Sequence, residues 1–312
     1  MAKPQHLTFQ QQLELFESRG MIINKNDINK IQVIGYYRIK QFASPIAKKN
    51  IVNGKVIYDY TGINFSDVLK RYYQDKNLRS NLLHALEKVE VALKTRVSFI
   101  LGNNYGAFGY LYFSNWCDKS NYSKFEIEKR QFFFKKDLKR SISHSCSEDV
   151  KNKDNLDSDG FPSIWLAVEV LTFGEIVRLV EVMSVKNKTE LAKTFNCTHK
   201  ELLSWMKCLN FVRNICAHNS NIIDMQLDTK PICKEEWKKR LYIIKNNKGQ
   251  SVPSNKLAIV LLILEHFILT INKKYAWRKV HNNISRITDG KEKNAKLMGF
   301  SDKESANKIF NK

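Results

Sequence analysis

The sequence predicts an all-α protein, in which a helical bundle carries a small N-terminal helical extension and a short β-hairpin near residues 51–58. Apolar residues recur at intervals of three and four over long segments, capping residues precede several of these segments, and Gly or polar runs follow them. The 312 residues, 43% of them hydrophobic, suffice for a substantial core. We divide the chain into an N-terminal extension (1–65), a helical domain (66–275) and a basic C-terminal tail packed on that domain (276–312).

The N-terminal extension is predicted to contain two helical units and the hairpin. In "LTFQQQLELFESRG", Thr8 and Gln11 have capping-box spacing and Gly20 ends the helix. A second unit lies near "NDINKIQVIGYYRI". The segment "KKNIVNGKVIYDYTGINF" then breaks the helical pattern, and its Asn53–Gly54 pair between β-branched residues indicates a small hairpin or a loop excursion.

A long helix is predicted from Ser66 onwards, because one apolar stripe continues over five turns. The stripe consists of Leu82, Leu86, Val89, Leu93, Val97 and Ile100. Glycines at 102, 106 and 109 follow it. The aromatic and charged region 114–160 ends in "SEDVKNKDNLDSDG", which we predict to be an exposed loop.

Three further helical segments complete the prediction. The first, "FPSIWLAVEVLTFGEIVRLVEVM", has Pro162 in its first turn and an interruption at Gly174. The second opens with a capping box, Thr198 to Glu201, and directs Leu202, Trp205, Met206 and Leu209 to the core. The third, "LAIVLLILEHFILTI", is predicted to be a buried core helix, because it is too short to span a bilayer.

The charge balance favours a polyanionic partner. Lys and Arg number 52 against 31 Asp and Glu, which gives a net charge of +21 and a pI near 9.6. Neutralising phosphates releases condensed counterions, so we expect RNA or another nucleic acid as the partner. A membrane surface is the weaker alternative, since no helix combines a basic face with a Trp/Leu face. A helical scaffold for other proteins would leave the basic excess unexplained.

The cysteines and the N-terminus favour a cytoplasmic protein without metal or cofactor. "MAKPQHLTFQQQLELF" contains no apolar signal region. The six cysteines form no CxxC pair, and we expect them to be reduced thiols. A zinc site built from Cys197, His199, Cys208 and Cys216 is the disfavoured alternative.

An Arg and a His five positions apart, in "LNFVRNICAHNSN", form the candidate catalytic motif. The same R-x4-H spacing occurs twice, at Arg213–His218 and Arg79–His84, so the spacing alone cannot choose between them. Arg79–His84 lies within a continuing helix, where an Arg near the apolar stripe and a His facing away are structural. Arg213–His218 lies where "HNSN" ends the helix, so its side chains can face a cleft.

Arg213 falls on an apolar stripe and therefore needs a partner, because an unpaired buried charge is costly. Glu90 lies on the stripe of the long helix, and Glu169 in "WLAVEVL" is a second carboxylate of this kind. Either one could form a structural ion pair within a helical bundle. Alternatively, Glu90 supports the site by orienting Arg213 or His218.

Five segments resemble a known family. "RNICAH" is similar to the R-x4-6-H motif of HEPN ribonucleases, including a polar residue, here Asn214, directly after the Arg. The segments "LTFQQQLELFESRGMII", "IQVIGYYRI", "LRSNLLHALEKVEVALKTRV" and "FPSIWLAVEVLTFGEIVRLV" resemble the Abi-like (abortive infection, AbiD/AbiF-type) branch of that superfamily, in the family's order. The resemblance covers residues from about 7 to about 271.

The resemblance implies an all-α HEPN domain that cleaves RNA without a metal, as a phage-defence or toxin-type enzyme. Physical chemistry is consistent with these roles. A His titrates near neutrality and can take the 2′-OH proton, and an Arg fork can stabilise the charge that gathers on the phosphate. His218 is then the general acid/base, Arg213 the phosphate clamp and Asn214 a positioning hydrogen-bonder. The products would be a 2′,3′-cyclic phosphate and a 5′-hydroxyl.

One His cannot readily act on both sides of the phosphate. HEPN relatives pair two motifs across a domain interface, as the type VI CRISPR effectors do within one chain. We therefore expect a homodimer with a composite site, with Arg79–His84 as the second motif only if a monomer is active. The alternative function is an RNA-binding HEPN protein without catalysis, or one held with a small structured RNA; an antitoxin is a further candidate partner.

Overall fold

The computed structural model describes residues 5–52 and 54–310, and these residues are mainly α-helical, as predicted. Among the residues described, two small antiparallel sheets of two strands each accompany the helices. The same residues form two hydrophobic cores. The smaller one is built from residues between 13 and 69, and the larger one from residues between 78 and 309.

The N-terminal unit contains three helices and one hairpin, listed in chain order: α1 (Phe9–Glu17), α2 (Ile28–Ile34), α3 (Tyr36–Ala43), β1 (Lys48–Val52) and β2 (Lys55–Asp59). The predicted capping box of α1 is confirmed, since the Gln11 N–H donates to the Thr8 hydroxyl and the Thr8 N–H donates to the Gln11 side chain. Gly35, with φ of +88°, separates α2 from α3. The predicted hairpin is confirmed, although Asn53 of its turn lies outside the described residues.

The helix α4 (Phe65–Tyr105) connects the two cores. Its 41 residues extend over about 60 Å at the rise of an α-helix. Its first turns pack in the smaller core through Phe65, Val68 and Leu69, whereas all six members of the predicted apolar stripe are buried in the larger one. The helix continues through Gly102, where a Cβ would lie 2.8 Å from the Trp165 ring, and ends at Gly106.

The middle of the chain contains five helices: α5 (Lys124–His144), α6 (Glu148–Lys151), α7 (Ile164–Val170), α8 (Phe173–Val182) and α9 (Val185–Lys193). The sequence did not predict α5, because only Ile127 and Leu138 of its 21 residues are buried and its apolar periodicity is weak. The segment 147–160, predicted as an exposed loop, is largely exposed but contains α6, which buries Val150.

Two details predicted for the segment 161–183 were wrong. The interruption occurs at Leu171 and Thr172 rather than at Gly174, because Thr172 caps α8 together with Glu175 and so starts a new helix. Pro162 precedes the N-cap of α7 instead of lying in its first turn, and its carbonyl accepts a hydrogen bond of 2.7 Å from Tyr110.

The C-terminal part contains five helices and a second hairpin: α10 (His199–Ala217), β3 (Ile243–Lys245), β4 (Ser251–Pro253), α11 (Leu257–Ile271), α12 (Arg278–Thr288), α13 (Glu292–Leu297) and α14 (Lys303–Asn307). The capping box predicted for α10 is present, and α11 is a buried core helix as predicted. Residues of α12 to α14 also contribute to the larger core. Within the described residues, none of the helices has the length and hydropathy to cross a membrane.

His266 predicts a pH dependence of stability. Its Nε2 lies 2.8 Å from the Phe195 carbonyl, and its ring contacts the Trp205 ring at 4.9 Å. Burial, followed by the nearby Lys234, lowers the pKa of His266 below its ordinary value. The unfolded chain therefore binds more protons below about pH 6.5, so the free energy of unfolding should fall as the pH drops through this region.

Urea unfolding between pH 7.5 and 5.5 measures this effect. His266→Gln removes the titrating group, so its stability should vary less with pH than that of the wild type, whatever its absolute value. Equal pH dependence in the two proteins would contradict the assignment.

Candidate active site

The helix α10 carries the candidate motif at its C-terminal end. Leu209, Val212 and Cys216 are buried on its inner face, which fixes the rotation of the helix. Arg213 follows Val212 and lies at the edge of that face, with 38% of its side chain exposed. As predicted, Arg213 lies on the same side of the helix as Leu209 and Cys216, although its side chain is only partly buried.

Glu90 of α4 faces Arg213. The distance from Arg213 Nε to Glu90 Oε2 is 3.9 Å, and Lys94 Nζ lies 3.3 Å from the other carboxylate oxygen. Only 17% of the Glu90 side chain is exposed. These two cations share one carboxylate, which leaves the Arg213 fork able to bind a second anion.

An open cavity of about 370 Å³ lies over this ion pair. Its lining comprises Leu83, His84, Leu86, Glu87, Glu90 and Arg213. Glu169, the other carboxylate considered, is exposed on α7 and does not belong to this lining. The structure therefore brings Glu90 and Arg213 together and leaves Glu169 apart from them.

His218 is the C-cap residue of α10, as expected from the polar sequence that follows it. Its backbone N–H donates to the Asn214 carbonyl at 2.9 Å, and the side chains of both residues are exposed. Neither residue belongs to the lining of the cavity at Arg213, as the described residues define it. His218 and Asn214 thus lie on the surface outside this cavity.

Two arginines hold the residue after His218. Asn219 adopts a left-handed conformation with φ of +59°. Its side-chain oxygen accepts a 2.7 Å hydrogen bond from Arg79 Nη1, and its carbonyl accepts one from Arg38 Nη1 of α3. Such contacts restrain the backbone at the point where α10 ends, so they restrain the position of His218.

Asp75 connects the same network to the following loop. Its Oδ2 pairs with Arg79 Nε at 2.6 Å, and its Oδ1 accepts from the backbone N–H groups of Ile222 and Ile223 at 2.7 and 3.1 Å. Asp75 and Arg79 are both buried. Their spacing of four residues on α4 was a visible signal of an ion pair, but the sequence could not show that the pair binds the loop after His218.

The two members of the second R-x4-H pair have separate environments. Arg79 is structural, in agreement with the favoured interpretation. His84 faces away from the core, also as expected, but it lines the cavity that contains Arg213, and its Nδ1 lies 2.9 Å from the Tyr275 hydroxyl. The sequence analysis did not predict that His84 lines the same cavity as Arg213. The spacing of three residues from His84 to Glu87 and from Glu87 to Glu90 indicates that these side chains share one face of the helix, and it could have shown this.

Of the cysteines considered for zinc, Cys208 and Cys216 are buried and Cys197 is partly buried. Burial raises the pKa of Cys197, Cys208 and Cys216 to about 12. Zinc binds the thiolate form, which this environment disfavours. In the part of the chain that the structure describes, no group of three or more His, Cys, Asp or Glu is arranged to hold a metal ion.

The chain matches a known protein family. A family model described as Abi-like protein matches residues 29–224, more than half of the chain. The matched range contains Glu90, Arg213, Asn214 and His218, together with the Asp75–Arg79 pair. Comparisons with curated proteins and with solved structures yield no match to this chain.

Proposed function

Because the chain belongs to the Abi-like protein family, whose name refers to abortive infection as a form of phage defence, we propose that it is a metal-independent HEPN endoribonuclease that acts in this defence. The observation that supports this most is the half-exposed Arg213 beside Glu90 at the end of α10, with His218 restrained a turn and a half further on. A net charge of +21 is consistent with an RNA substrate.

The proposed reaction is a transfer of the phosphodiester within the RNA. A neutral His218 takes the proton of a 2′-hydroxyl, and the resulting oxygen attacks the adjacent phosphorus. Arg213 stabilises the negative charge on the phosphate oxygens with its fork, while Glu90 holds the guanidinium in place. The bond to the 5′-oxygen breaks, that oxygen takes up a proton, and the products are a 2′,3′-cyclic phosphate and a 5′-hydroxyl.

The donor of that last proton must lie on the opposite side of the phosphate from the base. A second copy of the chain can supply it, so we propose a homodimer in which two R-x4-H motifs form a composite site. His84 is the candidate donor within one chain, because it lines the same cavity as Arg213. Asn214, exposed one residue after Arg213, is placed to hydrogen-bond the RNA.

An assay in EDTA tests the chemistry. Wild-type protein should cleave RNA in EDTA and leave 2′,3′-cyclic phosphate ends, whereas His218→Ala should lose cleavage and retain RNA binding. Because His218 is exposed, this substitution should leave the fold intact. His144→Ala, at the exposed end of α5, is the matched control and should cleave as the wild type does.

RNA binding without catalysis is the second candidate function. It is favoured by the position of His218 outside the cavity that contains Arg213. Wild-type protein that copurifies with a small structured RNA and does not cleave RNA in the EDTA assay would favour this function over the nuclease.

A further inference from the structure

We propose that the groove between α4 and residues 272–286 binds single-stranded RNA and leads it to Arg213. This inference rests on the proposed function in taking RNA as the ligand, and it adds where the strand lies and which residues hold it. The groove wall formed by residues 272–286 lies beyond the family match, which ends at residue 224.

The groove consists of two adjoining cavities that meet the candidate active site. The larger has a volume of about 810 Å³ and shares Ser80, Asn81, Lys279 and Asn282 with a smaller one of about 280 Å³. His84 belongs both to the larger cavity and to the cavity at Arg213. The three cavities therefore follow α4 from Asn77 to Glu90, a distance of about 20 Å at the helical rise.

The groove is positively charged. Its cations are Lys88, Lys274, Arg278, Lys279 and Arg286, and its two cavities include no Asp or Glu among the described lining residues. None of these five cations forms an ion pair with a carboxylate in the described part of the chain. Unneutralised cations along one channel attract a polyanion, whose phosphates would take the place of carboxylates.

The uncharged lining favours a single strand over a duplex. Tyr275 offers a ring on which an unpaired base can stack, and it is supported by Trp277, whose ring centroid lies 4.6 Å away. The amides of Asn77 and Asn282 can hydrogen-bond base edges, which a duplex hides in its pairing. Stacking and splayed bases are how single-stranded RNA is usually held.

The groove wall is held against α4 by its own contacts. Val280, Ile284 and Ile287 of α12 are buried in the larger core. Asn81 donates to Asn283 at 2.6 Å, and Gln74 donates to the Arg286 carbonyl at 3.0 Å. The groove is therefore formed before any RNA binds, which lowers the ordering cost of binding.

Fluorescence anisotropy with an uncleavable probe tests the groove. The probe is a labelled 2′-O-methyl RNA of about 12 nucleotides, which lacks the attacking hydroxyl and falls within the range of roughly 4–16 nucleotides known for single-strand sites. The variant Lys274→Glu/Lys279→Glu reverses two exposed charges of the groove. Lys245→Glu/Lys248→Glu makes the same charge change on the exposed β3–β4 hairpin and is the matched control.

The groove variant should bind the probe at least about tenfold more weakly. The slope of log K, the logarithm of the binding constant, against log salt concentration should be shallower by about 1.4, as expected for two lost phosphate contacts. The control should stay within about twofold of the wild type. Equal losses in the two variants, or wild-type affinity in the groove variant, would overturn the inference. Tighter binding of a duplex of the same length would overturn the choice of a single strand.

The binding assay separates this inference from the proposed nuclease. If the protein binds the probe through the groove but leaves ordinary RNA intact in EDTA, the groove proposal stands and the nuclease proposal fails. If the protein cleaves RNA and the groove variant binds and cleaves as the wild type does, the nuclease proposal stands and the groove proposal fails.

Discussion

Replacing Arg213 by Ala should slow RNA cleavage by about two to three orders of magnitude, while RNA affinity changes by only a few-fold. Removing one preorganised donor to developing phosphate or oxyanion charge has effects of this size. The loss should not come from misfolding, because Glu90 keeps Lys94 at 3.3 Å when Arg213 is removed. Single-turnover cleavage rates, measured beside anisotropy with the uncleavable probe, separate the two quantities.

Two further variants sharpen this result. Arg213→Lys keeps the charge but loses the planar fork, so its rate should fall between those of Arg213→Ala and the wild type. Arg140→Ala removes an exposed Arg of α5 and should have no effect on the rate. An Arg213→Ala rate within about threefold of the wild type would contradict the role of Arg213 as phosphate clamp.

Mixing wild-type and His218→Ala chains tests the composite site. In a homodimer that needs one His218 as base and the other as acid, a mixed pair has only one of the two, so an excess of His218→Ala chains should suppress wild-type cleavage. Undiminished cleavage, together with a monomer mass by light scattering, would assign the site to one chain and make His84 the proton donor to examine.

Replacing Arg79 by Ala should destabilise the protein by about 3–5 kcal/mol, the largest stability effect that we expect. The substitution removes the cation from the buried Asp75 carboxylate, and a buried charge that has lost its ion-pair partner is strongly destabilising. Cleavage should also fall under conditions where the variant is still folded, because Arg79 no longer holds Asn219 beside His218. Urea unfolding gives the free energy, and cleavage is measured well below the unfolding midpoint.

Arg140→Ala is again the matched control, and its unfolding midpoint should equal that of the wild type. Asp75→Asn distinguishes the two functions of the carboxylate. It keeps an oxygen for the N–H groups of Ile222 and Ile223 but replaces the oxygen that accepts from Arg79 by an NH2 donor, so it should destabilise less than Asp75→Ala. A loss below about 1 kcal/mol for Arg79→Ala would show that the ion pair does not hold this region.

The sequence predicted those parts of the fold that follow local rules. The capping boxes at Thr8 and Thr198 and the stripe of α4 were visible as patterns, and the structure contains them. The helix α5 was missed because a helix that lies on the surface needs few apolar residues. The break before α8 was assigned to Gly174, although the capping residue Thr172 determines it.

The site was predictable only in part. Arg213 and Glu90 could be proposed as neighbours because each needs an opposite charge on an otherwise apolar helix face. The bond from Arg79 to Asn219 joins residues 140 positions apart, and the contact of His84 with Tyr275 joins residues 191 positions apart. Contacts of this kind depend on how the helices pack, and no local pattern records them.

The bond from Arg38 to the Asn219 carbonyl connects the N-terminal unit to the backbone beside His218. Arg38 belongs to α3, which packs with the smaller core, whereas Asn219 follows the candidate catalytic His218. A displacement of the N-terminal unit would therefore pull on the backbone beside His218 and, through α4, on Glu90. For the proposed nuclease, a ligand or partner that binds the N-terminal unit is therefore expected to change the cleavage rate without touching the candidate active site.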